Sequence, residues 1–192
     1  TVNITAANEV PILKGSVATI NFTENDGATV IDSSLIVTDV DDTDLELATI
    51  TISTGYVGSE DVLEFNNQNG IIGIWDSESG VMTLSGISSK TNYETALVSL
   101  TYNNTSDAPN TDSRTITWVV NDGIDNSLKA LSTVNVTAVN DLPALGDAGD
   151  SLAFTENDGA TVIDQNLSVV DVDDTNLESV TITISTGYVS RE

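Results

Sequence analysis

The chain has 192 residues, with 30 Asp plus Glu against 5 Lys plus Arg and a formal charge of −25. That balance argues against nucleic acid, whose phosphates need clustered Lys and Arg, and against anionic membrane surfaces; metal cations are the natural counter-charge. With no Cys and no His, disulfides, a Cys/His zinc site and a Ser-His-Asp or Cys-His nucleophile are excluded, and the chain reads as a non-enzyme.

Acidity alone would suggest disorder, but 39% hydrophobic content with many Val, Ile and Thr argues for a folded β protein. In chain order the expected strands are Val2–Thr5, Ala18–Phe22, Leu35–Thr38, Ala48–Ser53, Val62–Phe65, Ile71–Trp75, Val81–Leu84, Leu97–Tyr102, Arg114–Val120 and Leu131–Val139. Turn signals separate them: "NDG" at 25–27, "NQNG" at 67–70, "ESG" at 78–80 and "NDG" at 121–123. Alternation predicts that Thr49, Thr51 and Ser53 share one face and Ile50 and Ile52 the other. One helical turn is expected from Lys90, with Thr91 as cap and Glu94 closing a capping box. Trp75, Trp118, Phe65 and Tyr102 read as core, the alternative for the tryptophans being sugar stacking. Many short strands at this spacing predict an all-β sandwich.

The sequence repeats with a period of 132. "TVNITAANEVP" at 1–11 meets "TVNVTAVNDLP" at 133–143, "FTENDGATVID" at 22–32 recurs unchanged at 154–164, and "TITISTGYV" at 49–57 recurs unchanged at 181–189. In all, 38 of 60 aligned positions are identical. Fixed-period similarity marks a tandem array. Residues 1–9 read as the last strand and linker of a preceding repeat, 10–141 as a complete repeat and 142–192 as the first part of the next. The chain starts at Thr1, so it is expected to be a piece of something longer. A partial sandwich cannot bury its sheet faces unaided, so the second copy is expected either to pack on something, such as a neighbouring chain, or to be a window on a longer array.

Oxygen ligands fall in discrete clusters: Asn8–Glu9, Glu24–Asp26, Asp39 to Glu46, Glu60–Asp61, Asp107, Asn121–Asp122 and Asn140–Asp141. Ca²⁺ takes six to eight such oxygens. "DVDDTDLE" at 39–46 returns as "DVDDTNLE" at 171–178, a like-charge repulsion that a bound cation would reverse. Asp39 and Asp41 alternate around Val40, so Val40 is expected to face inward. An EF-hand is a poor match, because its glycine and closing glutamate positions hold Asp44 and Ile50. The alternative is a solvated acidic edge that deters aggregation.

These residues carry a resemblance. "AVNDLP" at 138–143 resembles the calcium-binding linker of cadherins, and "DVD" at 171–173 resembles that family's Asp-x-Asp ligand pair. The longer string "FTENDGATVID … DVDD-T-LE … GYVGSEDVLEF … YNNTSDAP … RTITWVVNDG … TVNVTAVND" is similar to the cadherin-like repeats of very large bacterial surface and RTX-type adhesins. It departs from them in lacking the full acidic linker and the glycine-rich RTX nonapeptide. The resemblance implies a Greek-key sandwich of cadherin or immunoglobulin type, an extracellular or cell-surface setting, and Ca²⁺ held between consecutive repeats. On it, Glu24, Asp107, Asn140, Asp141, Asp171 and Asp173 are the expected ligands of the junction within this chain. Asn8, Glu9, Asp39 and Asp41 are those of the equivalent junction with a preceding copy.

The leading expectation is therefore a calcium-rigidified extender module whose partners are neighbouring repeats. A filament subunit assembled with other copies by strand sharing and a glycan-binding domain are the alternatives. Paired carboxylates can cleave glycosides, but repeated clusters suit ligation better.

Overall fold

A computed structural model describes residues 1–190 apart from Ile4, Ala6 and Ser16. It divides the chain into two compact units, Thr1–Val139 and Asn140–Glu192.

The first unit is an all-β sandwich with one helix. Its strands are β1 (Ile12–Lys14), β2 (Ala18–Thr23), β3 (Thr29–Val30), β4 (Ile36–Thr38), β5 (Asp44–Thr54), β6 (Asp61–Glu64), β7 (Ile72–Asp76) and β8 (Val81–Ser89). Helix α1 (Lys90–Val98) follows, and then β9 (Thr101–Asn104), β10 (Arg114–Asn121) and β11 (Ala130–Thr137). The large sheet runs β2-β11-β10-β5-β8-β7, the smaller one β3-β9-β6, and β1 pairs with β4 alone. All pairs are antiparallel except β11 with β2, which run parallel from Ser132↔Ala18 to Thr137↔Thr23.

Alternation drives the packing. Along β5 the inward Leu45, Ala48, Ile50 and Ile52 are buried, while Thr49, Thr51 and Ser53 take the other face, as the pattern predicts. Trp118 from β10 is fully buried and its indole N–H donates to Ser132 Oγ at 2.9 Å. Phe22 meets Tyr102 edge to face, with centroids 5.2 Å apart. Tyr102 and Trp118 are core; Phe65 and Trp75 are half-buried against it.

Register fixes which loops share an end. Asp44 pairs with Ser89 and Leu47 with Asn121. The segment entering β5, the start of α1 and the loop after β10 therefore lie together at one end of the sandwich. Thr54 pairs with Thr115, and β2 and β11 run out together at Thr23 and Thr137. The far end therefore gathers Glu24, the loop before β10 and the exit at Val139.

Three expectations change. The helix is nine residues long, not one turn, and its cap is Ser89, whose hydroxyl accepts from the Asn92 amide at 3.2 Å. Glu94 closes no capping box; its carboxylate accepts from Val37 N at 3.1 Å instead. The strand expected from Leu97 begins at Thr101. Of the strand expected at Val2–Thr5, Ile4 lies outside the described residues, and Val2, Asn3 and Thr5 are in no strand.

The second unit contains β12 (Ala144–Gly146) paired with β13 (Ser168–Val170), the counterparts of β1 and β4. None of its described residues is buried.

Candidate metal centre

The site is assembled at the end of the first unit where β5 begins. "DVDD" does not alternate as a strand. Asp39 folds its carboxylate back as a cap: Oδ1 accepts from the amides of Asp41 and Asp42 at 3.1 and 3.0 Å. An aspartate that bonds the backbone two residues on makes a turn in place of a ladder. The turn throws Val40 outward, 86% exposed, which corrects the inward placement. The second Asp39 oxygen, Oδ2, is buried and has no hydrogen-bond partner among the described residues.

A second turn faces it. Asp122, after β10, accepts on Oδ1 from the amides of Ile124 and Asp125, both at 2.7 Å. The loop closes at Gly123, whose φ of 101° is open to glycine at little cost. One carboxylate oxygen from each of Asp39, Asp42 and Asp122 lies within 4.8 Å of the other two. Three carboxylate oxygens at that separation, on a set that includes an aspartate with a buried, unpartnered Oδ2, suit a hard cation that takes its ligands from oxygen.

The leading segment closes over both turns. Asn8 Nδ2 donates to Asp122 Oδ2 and Asp125 Oδ2, each at 3.1 Å. The Glu9 amide donates to both oxygens of Asp41, at 3.4 and 3.3 Å. The carboxylates feel one another. Glu9 is raised above its ordinary 4.5, chiefly by the Asp41 charge. Asp42 is raised above 3.8 by loss of solvent and then by Asp41, Asp39 and Asp122, with Lys90 opposing. Burial pushes Asp122 up too, but the amides of Asp125 and Ile124 and the Asn8 side chain outweigh it and leave its carboxyl below 3.8.

The structure thus brings Asn8, Glu9, Asp39 and Asp41 to one place. It adds Asp42 and Asp122, which the sequence placed in oxygen clusters but not among the expected ligands. Asp42 could have been found from the duplicated "DVDD". Asp122 lay in the Asn121–Asp122 cluster and its "NDG" turn, but no local signal joined it to Asp39, 83 positions earlier.

The other expected ligands divide between the units. In the first, Glu24 is buried; Oε2 accepts from Val139 N at 2.9 Å and Oε1 from Asn25 Nδ2 at 3.4 Å. Asp107 is exposed in the loop before β10. The nearby Glu60 and Asp61 share one cation: fully buried Arg114 reaches Asp61 Oδ2 at 3.1 Å and Glu60 Oε2 at 3.5 Å. "TENDG" is a turn, in which the Thr23 amide donates to Asp26 Oδ2 at 2.8 Å.

In the second unit the acidic turn re-forms residue for residue. Asp171 Oδ1 accepts from the amides of Asp173 and Asp174 at 3.1 and 3.0 Å. The Asp141 amide donates to Asp173 Oδ2, as that of Glu9 does to Asp41. Asn140 Nδ2 reaches the Asp141 carbonyl, as Asn8 reaches that of Glu9.

No protein-family model matches the chain. Over 113 residues, 56% of its length, it is 36% identical to halomucin of Haloquadratum walsbyi (strain DSM 16790 / HBSQ001). The chain spans about 1% of that protein's length, so the likeness is to one segment of a very long polypeptide. Among the described residues no helix is long and apolar enough to cross a membrane.

Proposed function

We propose that the chain is a structural repeat of a long extracellular protein and that the acidic turns bind Ca²⁺ to stiffen the start of each repeat. The observation that carries this reading is the convergence of one carboxylate oxygen from each of Asp39, Asp42 and Asp122 within 4.8 Å, with Asp39 also carrying a buried Oδ2 that has no hydrogen-bond partner among the described residues. These three side chains would hold the ion, and Asn8 and Glu9 would be drawn in over it. Ca²⁺ would supply charge neutralisation and a fixed geometry, not chemistry on a substrate. The period of 132 and the likeness to a segment of halomucin support a place within a long array, and the net charge of −25 supports a cation-rich medium. Sugar stacking finds little support at Trp118, which is fully buried.

Thermal melts in EDTA and in millimolar Ca²⁺ test it, with Mg²⁺ and NaCl as controls. A ligand that binds only the folded state adds ~2.7 kcal/mol at a hundredfold excess over Kd, so the melting temperature should rise by several degrees in Ca²⁺ alone. An equal rise in NaCl or Mg²⁺ would make the cluster a solvated acidic edge.

A further inference from the structure

Lys90 grips both ends of the acidic turn. Its amide donates to the Thr43 carbonyl at 3.2 Å, and its ammonium donates to the Asp39 carbonyl at 2.6 Å in a partly buried contact. The ammonium therefore stands at the cluster while bonding to main chain. Among the described residues the ion pairs are those of Arg114 with Glu60 and Asp61, so Lys90 consumes no carboxylate oxygen. A cation placed this way offsets the negative potential of the cluster, yet leaves the carboxylate oxygens of Asp39, Asp42 and Asp122 available as ligands. The chain has only 5 Lys plus Arg, and Arg114 is spent at the far end.

We propose that Lys90 is a built-in counter-charge that holds the acidic turn together in the absence of metal and weakens metal binding when metal is present, so that it sets the cation affinity of the site. The affinity half rests on the calcium reading above.

The test compares the full chain with Lys90→Met and Lys90→Arg. Calcium affinity is measured by titration calorimetry, and melts are run in chelator at low and high NaCl. Removing the positive charge bonded to the Asp39 carbonyl should tighten Ca²⁺ binding in Lys90→Met by roughly two- to tenfold. In chelator and low salt the same variant should melt below wild type. The gap should close in high salt, which screens the carboxylate repulsion that Lys90 otherwise offsets. Lys90→Arg should match wild type in both. Binding by Lys90→Met that is unchanged or weaker, with a melting gap indifferent to salt, would make Lys90 a plain anchor and overturn the proposal. Absence of Ca²⁺ binding by wild type itself is a separate outcome: it sinks the calcium reading and the affinity role together.

Discussion

At the scale of single residues, the carboxylates divide into those whose charge the fold has neutralised and those it has left in conflict. Asp61 belongs to the first group. It is wholly buried against Arg114 Nε and also accepts from the Tyr102 hydroxyl at 2.6 Å and Asn104 Nδ2 at 3.1 Å. Removing one partner of a buried pair strands the other, at about 3–5 kcal/mol. Arg114→Met should lose that much in urea unfolding, and adding Asp61→Asn should recover part of it. Asp42 belongs to the second group, so Asp42→Asn should change sign with conditions: a higher melting temperature than wild type in chelator, a lower one in Ca²⁺. Acid should act the same way. Glu9 and Asp42 are raised above 4.5 and 3.8; such groups favour folding when protonated, and that contribution is lost as pH rises through their folded values. Asp122 is depressed below 3.8, and its contribution is lost only as pH falls below that ordinary value. In chelator the melting temperature should therefore climb on acidification toward 4.5 and fall again below 3.8; a monotonic decline from neutrality would contradict the conflict. The duplicated "DVDD" was legible in the sequence as an acidic site. The role of Arg114 was not, because its partner lies 53 residues away and no local pattern records such a pair.

At the scale of elements, alternation was the readable signal. It placed the inward face of β5 and all the strands of the large sheet, because a half-buried strand must write its burial into every second residue. The helix was under-read. Tyr93, Ala96 and Leu97 recur at helical spacing and are the buried residues of α1, but Leu97 to Tyr102 is rich in residues that suit strands, and the local preference yields to burial. The cap was missed by two positions for a related reason: Ser89 ends a strand, and only the tertiary turn into α1 frees its hydroxyl to accept from Asn92. Ser89→Ala should cost about 1 kcal/mol. Gly86 is more demanding. It sits in β8 at φ 135°, and a Cβ there would lie 2.4 Å from the Gly70 carbonyl oxygen. Gly86→Ala should destabilise the first unit by more than the loss of the cap, measured in the same urea titration; a smaller effect would show that the Gly70 loop yields freely.

At the scale of the whole chain, one sequence occurs in two environments. In "TITISTGYV" at 49–57, residues 49–54 lie in central strand β5, where Ile50 and Ile52 are 0% and 3% exposed between β8 and β10. The same nine residues at 181–189 leave Ile182 and Ile184 at 80% and 67% exposure. "FTENDGATVID" divides likewise: Phe22 is 0% exposed and Phe154 60%. Identical local preference with opposite burial means that preference does not make this strand; pairing with β8 and β10 does. The acidic turn behaves in the opposite way. Asp171 caps its own turn in the second unit as Asp39 does in the first, because the bonds span only two and three residues and need no core. Hydrogen exchange by NMR should resolve the contrast. Amides of Thr49–Ser53 should exchange only on unfolding of the first unit, while those of Thr181–Ser185 should exchange at rates close to those of an unfolded chain. The polypeptide 61–139, which carries β8, β10 and β11, should protect the second set when added in trans, because it presents the strands that the same residues already bury against in the first unit. Full protection of Thr181–Ser185 without that addition would mean that the second copy finds partners by another route. The identity of the two copies would then have misdirected the reading of what completes them.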